Sequence, residues 1–394
     1  MRPFFVEKTV ASVLGLGVTT TIGYGTLLYA FTLLSLELEW HFLWSKSFVF
    51  GVFSLGLLVG GLIAPWAGRS LDRYGARIIM SAGSLLAALG LGLLALVETK
   101  LGYVLAMLFT QMSATLVLYE AAFVAFSQIA KDKARLPMTQ ITLIAGFAST
   151  IFWPLVGWLL GFLSWREVYG ILALLHLLLC APLHWWVLGR GVGGFVPVKT
   201  EKSPVLEGDK RTAFVLLGAS FALIAIPTAA VQTHFVGLLN ALGVETSLAI
   251  SLGLLLGPLQ VGARVLEMLG ARKISPFHSA LLSYGLLTLG VWLMLLSGVN
   301  VLFATLFITF FGAGQGINYV ARGALPLAIF GTQGYGHLTG KLNRYKIIAA
   351  ALAPFSFAYI FEHVGIFPAL VLLGVLTTCA TVLLVVLGKI MKRF

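Results

Sequence analysis

Two charged side chains lie within apolar runs, where a charge is costly. Glu120 stands shortly before the basic residues Lys131 and Lys133, and Arg322 stands near the end of another apolar run. A carboxylate at such a depth faces a partner or water, or it takes up a proton. Arginine stays charged, and its planar fork suits a carboxylate. The two residues predict an anion bound by Arg322 and a proton handled by Glu120. The alternatives are a direct pair that gates a cavity, or purely structural roles.

A polar face accompanies Arg322 on the same stretch of chain. Gln315, Asn318, Tyr319 and Arg322 are spaced i, i+3, i+4 and i+7, so an α-helix places them on one side. Such a face should point away from lipid and toward the protein interior. Weaker polar sets follow the same logic, and we expect further substrate contacts from Thr20, Tyr24, Tyr119, Thr228 and Gln232.

The elements that must position these residues are membrane-spanning helices. Hydrophobic residues make up 59% of the 394 positions and charged residues only 10%, whereas soluble domains carry about 25% charged residues. A helix needs about 20 apolar residues to cross a bilayer, and continuous runs of that length exclude a β-barrel. The composition excludes an ordinary soluble enzyme. The net charge of +12 is attributed to membrane topology rather than to nucleic-acid binding.

The apolar runs predict an all-α integral membrane protein with twelve transmembrane helices in two pseudo-symmetric six-helix bundles. The predicted helices are 9–34, 47–68, 76–97, 101–130, 138–162, 167–188, 212–238, 246–268, 277–297, 301–321, 341–361 and 366–388. A polar stretch near the midpoint separates the halves. The predicted domains are therefore an N-terminal bundle at 1–189, a cytoplasmic linker at 190–211 and a C-terminal bundle at 212–394.

The basic residues predict the orientation. All but Lys46, Lys100 and Arg166 of the 26 Lys and Arg fall on one side of the predicted membrane, with Arg322 counted among the loops of that side. Basic loops stay in the cytoplasm. We therefore expect both termini to be cytoplasmic, in the inner membrane of a prokaryote.

An internal repeat relates the two halves. Residues 69–77 read RSLDRYGAR and residues 264–272 read RVLEMLGAR, with five of nine positions identical and an Asp/Glu exchange. Both segments follow the second predicted helix of their half. Repeats of this kind, with a substrate site between them, occur in transporters.

The segment Gly68-Arg69-Ser-Leu-Asp72-Arg73-Tyr-Gly75-Ala-Arg77 resembles the signature of the major facilitator superfamily, in the loop between helices 2 and 3. The resemblance covers nearly the whole chain. Further segments resemble the prokaryotic branch near the oxalate–formate and monocarboxylate carriers, namely Gly23-Tyr24-Gly25, Leu118-Tyr119-Glu120, Gly257-Pro258 and Ala321-Arg322-Gly323.

The resemblance implies a conformational latch on the cytoplasmic side. Asp72 would face the N-terminal end of helix 11, with Arg73 and Arg77 in the same network, and the contact would break during the transport cycle. The residues expected in the latch are Gly68, Arg69, Asp72, Arg73, Gly75, Arg77, Arg264, Glu267, Gly270 and Arg272. One alternative is that these charges only anchor loops and set topology. For Arg264 and Glu267, substrate binding is a further alternative, because the resemblance to monocarboxylate carriers implies an arginine in helix 8.

The sequence thus predicts a secondary active transporter for a small organic anion, such as a monocarboxylate, working by alternating access with proton coupling or exchange. An efflux carrier for drugs or toxic compounds is the alternative; drug–proton antiporters often carry an arginine in helix 4, where this chain has Gln111. A membrane sensor or membrane enzyme is the alternative of another class. No P-loop, zinc motif or nucleophile elbow is visible, so we expect no enzymatic activity, metal, cofactor or nucleic-acid partner, and a monomer in the bilayer.

Overall fold

The computed structural model describes residues 2–189, 209–271 and 273–391, without the side chains of residues 2–9, 46, 132, 354 and 355. Within these residues, twelve helices are long and apolar enough to cross a membrane. We number them α1 to α12: Val10–Phe42, Ser47–Tyr74, Ala76–Ala95, Lys100–Ala130, Arg135–Leu160, Trp165–Val187, Lys210–Ala241, Thr246–Gly270, Pro276–Met294, Val301–Phe330, Tyr335–Val364 and Ile366–Met391. The predicted all-α, twelve-helix membrane fold is confirmed.

Large apolar side chains cover the outer faces of these helices. Leu254, Leu266 and Leu269 on α8 are each more than 70% exposed to solvent. A soluble protein rarely exposes apolar surface of this extent. In a bilayer the same side chains face lipid.

The contacts divide the chain into two units. The first unit comprises Met1–Glu201 with Thr332–Lys341, and the second comprises Lys202–Gly331 with Leu342–Phe394. The first turns of α11 thus belong to the first unit and the rest of that helix to the second. Most of the predicted linker, residues 190–208, lies outside the described residues, and the predicted domain boundaries stay a prediction.

The two units use the same packing pairs. In the first unit α2 and α3 pack on α4, and α3 and α1 pack on α6. In the second unit α8 and α9 pack on α10, and α9 and α7 pack on α12. Each pair in one unit has its counterpart six helices later, which agrees with the internal repeat in the sequence.

Three predicted helix boundaries were too short. α1 continues to Phe42 instead of ending at residue 34, although Glu37 and Glu39 lie in the added turns. α10 continues to Phe330 and includes Pro326, since membrane helices tolerate proline where neighbours satisfy the freed carbonyl. α11 begins at Tyr335 rather than at residue 341.

The fourth predicted helix is interrupted. Its two helical segments are Lys100–Ala114 and Tyr119–Ala130. The hydroxyls of Thr110, Ser113 and Thr115 donate to backbone carbonyls three or four residues earlier, and such bonds compete with regular helix geometry. The interruption places Glu120 in the first turn of the second segment.

Candidate functional site

The carboxylate of Asp72 binds the N-terminus of α11 within the first unit. Its Oδ1 accepts from the backbone N–H of Gly336 at 2.9 Å, and its Oδ2 accepts from that of His337 at 2.8 Å. The first N–H groups of a helix have no partner inside the helix, and the helix dipole favours a negative charge there. The contact that the sequence leads us to expect at α11 is present. Whether it acts as a latch stays a prediction.

His337 extends this contact to α2. Its Nδ1 lies 3.1 Å from the Pro65 carbonyl, and its Nε2 lies 3.3 Å from the guanidinium of Arg69. A carbonyl only accepts and a guanidinium only donates. The Pro65 carbonyl therefore accepts at the Nδ1 side of the ring, and the Arg69 guanidinium donates at the Nε2 side.

Two glycines allow the close approach of α2 and α11. A Cβ at Gly68 would collide with the carbonyl oxygen of Gly336, and a Cβ at Gly336 would lie 2.7 Å from Asp72 Oδ1.

The turn between α2 and α3, which follows Asp72, is stabilised by other residues. Gly75 has a φ of 84°, and Gln128 donates to the Leu71 carbonyl at 3.0 Å while accepting from the Ala76 N–H at 3.1 Å. Sequence analysis missed Gln128, which caps the C-terminal end of α2 and the N-terminal end of α3.

Arg73 and Arg77 each contact an aromatic ring. The Arg73 guanidinium lies 5.3 Å from the ring centre of Tyr74, and that of Arg77 lies 3.8 Å from the ring of Trp185. Among the described residues, Arg69 is thus the motif arginine with a hydrogen bond to the start of α11. The motif also lies mainly in the last turns of α2 rather than in a loop.

The second copy of the motif has different surroundings. Arg264 is 4% exposed, and its Nε donates to the Gly316 carbonyl on α10 at 3.3 Å. Glu267 is buried and accepts from the Ser279 hydroxyl on α9 at 3.3 Å. Gly270 ends α8. Arg272, predicted for the latch, lies outside the described residues.

The predicted substrate residues of the first unit form an aromatic cluster next to Glu120. The rings of Tyr24 and Tyr119 are 4.6 Å apart, and Tyr119 stacks on Phe123 at 5.8 Å. Glu120 is half-buried in the first turn of a helical segment, where the helix dipole favours a carboxylate. Thr20 is buried, and its hydroxyl has no hydrogen-bond partner among the described residues.

Buried histidines hold the interior of this unit together. His184 lies 2.9 Å from the hydroxyls of Thr19 and Ser84, which connects α6 to α1 and α3. His176 lies 2.7 Å from the Thr26 hydroxyl of α1. These pairs satisfy polar groups between helices, and we assign them a structural role.

The second unit contains a cavity of about 140 Å³. The polar face predicted on α10 lines it with Gln315, Asn318, Tyr319 and Arg322, and α7 contributes the predicted Thr228 and Gln232. Arg322 lies within α10, just beyond the predicted helix end at residue 321. The helix extends eight residues beyond it because Pro326 does not end the helix.

One end of the cavity is cationic. Arg322 and Lys346 line it, and the guanidinium groups of Arg322 and Arg264 each lie 4.7 Å from the ring centre of Tyr319. Aromatic faces attract such cations. None of the described lining residues is acidic, and within the described part of the second unit no carboxylate forms an ion pair with Arg322. This end of the cavity can bind a negative charge.

Another part of the lining is mostly apolar and comes from one face of α7. Phe221, Ile224, Ala225 and Ala229 of α7, with Ala350 of α11, form this apolar wall, and the polar Thr228 and Gln232 lie on the same face of α7. This spacing places side chains on one helix face. The cavity therefore joins a positive end to an apolar wall.

Sequence analysis missed two residues of the cavity. Lys346 was counted as a cytoplasmic topology charge, but α11 starts at Tyr335 and carries it to the cavity. Tyr284 on α9 also lines it, and no spacing signal in the sequence distinguishes it from core residues. Arg264 was assigned to the latch, whereas the structure places it against Tyr319. The described residues contain no cluster of ligands that could hold a metal ion.

Twelve membrane helices with a repeated packing pattern and a charged interior cavity are typical of membrane carriers for small solutes. The family model of the Major Facilitator Superfamily matches residues 13–354, and the chain belongs to this superfamily. Membership implies a transporter rather than an enzyme.

The fold is similar to solved structures of transporters with different substrates. The human organic anion transporter MFSD10 (TETRAN) superimposes with a TM-score of 0.74 at 17% identity, over 98% of this chain and 100% of that one. The proton:xylose symporter XylE, bound to 6-bromo-6-deoxy-D-glucose, gives 0.68 at 13% identity, over 95% of each chain. The E. coli fucose:proton symporter FucP gives 0.64 at 12% identity, over 96% of this chain and 97% of that one. At these identities the likeness shows the fold alone. No curated protein sequence matches the chain.

Proposed function

We propose that the protein is a secondary active transporter that moves a small organic anion, a monocarboxylate, across a prokaryotic cytoplasmic membrane by alternating access. Both termini lie in the cytoplasm in this proposal, and transport is coupled to protons or proceeds by exchange. The observation that carries the proposal is the cationic end of the cavity in the second unit. A guanidinium in a low-dielectric interior is stable only with a compensating charge or many hydrogen bonds.

The geometry around Arg322 supports anion binding. Its guanidinium lies 4.7 Å from the ring centre of Tyr319, and Arg322 lines the same cavity as Asn318. Arginine binds carboxylates through two parallel hydrogen bonds. Lys346 and Arg264 raise the positive potential of the same region. The resemblance of the Arg322 segment to monocarboxylate carriers points to the same substrate class.

Glu120 is the proposed proton-coupling residue. It lies in a membrane-spanning helix, is half-buried, and directly follows Tyr119, whose ring contacts Tyr24. An ionisable residue at such a depth usually belongs to a substrate or proton pathway. The Asp72 contact with α11 is the proposed latch, which forms in one conformation of the cycle and breaks in another.

Uptake into proteoliposomes tests the proposal. The purified chain is reconstituted, and uptake of radiolabelled monocarboxylates is compared for wild type, Arg322→Ala and Arg322→Lys. We expect uptake by wild type and a loss of at least about tenfold in Arg322→Ala, since a hydrogen-bonded charge contributes about 1.5–3 kcal/mol. Arg322→Lys should fall in between.

Arg344→Ala is the matched control. Arg344 belongs to the same unit and contacts Tyr345 at 5.4 Å, but it does not line the cavity. Normal uptake by a properly inserted Arg322→Ala protein would contradict the proposal. Transport of lipophilic cations in place of carboxylates would favour the efflux alternative.

A further inference from the structure

We propose that the cavity of the second unit selects monocarboxylates that carry a hydroxyl on the second or third carbon and a short, apolar body. The inference rests on the proposed function, because it assumes that Arg322 binds the carboxylate. It specifies the rest of the substrate from three features of the cavity.

The first feature is size. An engineered apolar cavity of about 150 Å³ holds one benzene molecule, and this cavity has about 140 Å³. A ligand of roughly six to nine non-hydrogen atoms fills such a volume.

The second feature is the distribution of polarity. Arg322 and Lys346 lie at the cationic end, whereas Phe221, Ile224 and Ala225 form a buried apolar wall. A charged group placed against apolar side chains loses its hydration without compensation. The wall therefore favours a hydrocarbon body and disfavours a second carboxylate.

The third feature is a buried acceptor without a donor. Asn318 lines the cavity and is 8% exposed, and its Oδ1 has no hydrogen-bond partner among the described residues. A buried acceptor left unpaired costs free energy. A carboxylate only accepts, so it cannot satisfy this oxygen, but a ligand hydroxyl can donate to it.

The spacing on α10 places that hydroxyl close to the carboxylate. Asn318 and Arg322 are one turn apart on the same face, and side chains at this spacing are neighbours. Helical side chains lean toward the N-terminus, and the Arg322 guanidinium accordingly lies 4.7 Å from the Tyr319 ring centre. A carboxylate on Arg322 therefore brings its second or third carbon near Asn318.

Competition against proteoliposome uptake tests the inference with four ligands of related shape. We expect α-hydroxyisovalerate to compete about tenfold better than isovalerate, which lacks the donor. Malate, which adds a second carboxylate, and α-hydroxyisovaleramide, which lacks the charge, should each compete at least about tenfold more weakly than α-hydroxyisovalerate. Equal competition by the hydroxylated and unhydroxylated acids, or better competition by malate, would overturn the inference.

Two variants assign the selectivity to the cavity. Asn318→Leu removes the acceptor and should reduce the preference for α-hydroxyisovalerate over isovalerate to about one. Ala229→Leu fills the apolar wall and should shift the preference toward the smaller lactate. A preserved hydroxyl preference in folded Asn318→Leu, or an unchanged size preference in Ala229→Leu, would contradict it.

The outcomes separate the two proposals. If no carboxylate is transported by wild type, the proposed function fails. If carboxylates are transported without preference for a hydroxyl or a short apolar body, the proposed function stands and this inference fails. Should Asn318→Leu not fold, the wild-type ligand series and Ala229→Leu still decide the matter.

Discussion

The two copies of the repeated motif have the same sequence pattern and different neighbours. In the first unit Arg69 is exposed and contacts His337, and Asp72 accepts from two backbone N–H groups of α11. In the second unit Arg264 is buried against Tyr319 and Gly316. The comparison shows that a duplicated motif can keep its place after the second helix of each unit while its arginine and carboxylate make different contacts.

The roles follow from what each copy can reach. The Asp72 carboxylate binds the N-terminus of α11, so this contact depends on the position of α11 and can respond to a conformational change. Glu267 accepts from the Ser279 hydroxyl within its own unit, so it connects α8 to α9. We therefore infer a conformational role for the first copy and a supporting role, next to the cavity, for the second.

The largest expected difference between the two motif copies is in the loss of their carboxylates, Asp72 and Glu267. Asp72→Ala removes two hydrogen bonds to a charged acceptor, each contributing about 1.5–3 kcal/mol. We expect transport to fall by an order of magnitude or more, whereas Glu267→Ala should mainly lower the melting temperature. Initial uptake rates and thermal unfolding of both proteins measure this.

Glu98→Ala is the control for loss of a carboxylate. Glu98 is 73% exposed and pairs with Arg166 at 2.7 Å on the surface, and such pairs contribute about 0–1 kcal/mol. Full transport by Asp72→Ala would refute the latch.

Gly316 on α10 tests how closely α8 and α10 pack near Arg264. A Cβ at Gly316 would collide with the carbonyl oxygen of Gln260, whereas a Cβ at Gly262 would meet nothing within 4 Å. Overpacking of this kind costs about 1–3 kcal/mol. Gly316→Ala should lower the melting temperature by several degrees, whereas Gly262→Ala should keep or slightly raise it, since alanine favours the helix more than glycine does. Equal melting temperatures of the two variants would show that α8 and α10 do not pack this closely.

Much of the fold could be predicted because its signals are local. Runs of apolar residues give the number of helices, and the spacing of Gln315, Asn318, Tyr319 and Arg322 gives the polar face. Helix ends were less accurate, since Pro326 and Glu37 look like loop residues but lie inside helices.

The site could be predicted only in part because it depends on tertiary neighbours. Lys346 lies inside the predicted helix 341–361, but only the packing of that helix shows that its side chain lines the cavity. The repeat correctly paired Arg69 with Arg264, but sequence equivalence does not reveal that one is exposed and the other buried.

A substitution at each motif arginine sharpens the comparison further. Lysine keeps the charge but loses the planar stacking on an aromatic ring. Arg264→Lys should therefore raise the KM for the transported anion severalfold through Tyr319, while Arg69→Lys, at an exposed position, should leave KM near the wild-type value. Concentration-dependent uptake measures both, and an equal change in KM would contradict the separation of roles.

Glu120→Gln gives the smallest expected change in maximal rate. The amide keeps the shape of the side chain but does not take up a proton. If Glu120 couples transport to protons, the variant should still exchange labelled for unlabelled anion while the pH dependence of its net uptake flattens. Uptake measured across a range of external pH values tests this. An unchanged pH profile would remove Glu120 from the coupling mechanism.

The most direct test of the central claim is ligand-dependent thermal stability of the purified protein and of Arg322→Ala. A ligand that binds only the folded state raises the melting temperature, by an amount that corresponds to about 2.7 kcal/mol at a hundredfold excess over Kd. We predict a rise with a small monocarboxylate in wild type and in Arg344→Ala, and none in Arg322→Ala. A rise of equal size in Arg322→Ala would contradict the claim that Arg322 binds the anion in the cavity of the second unit.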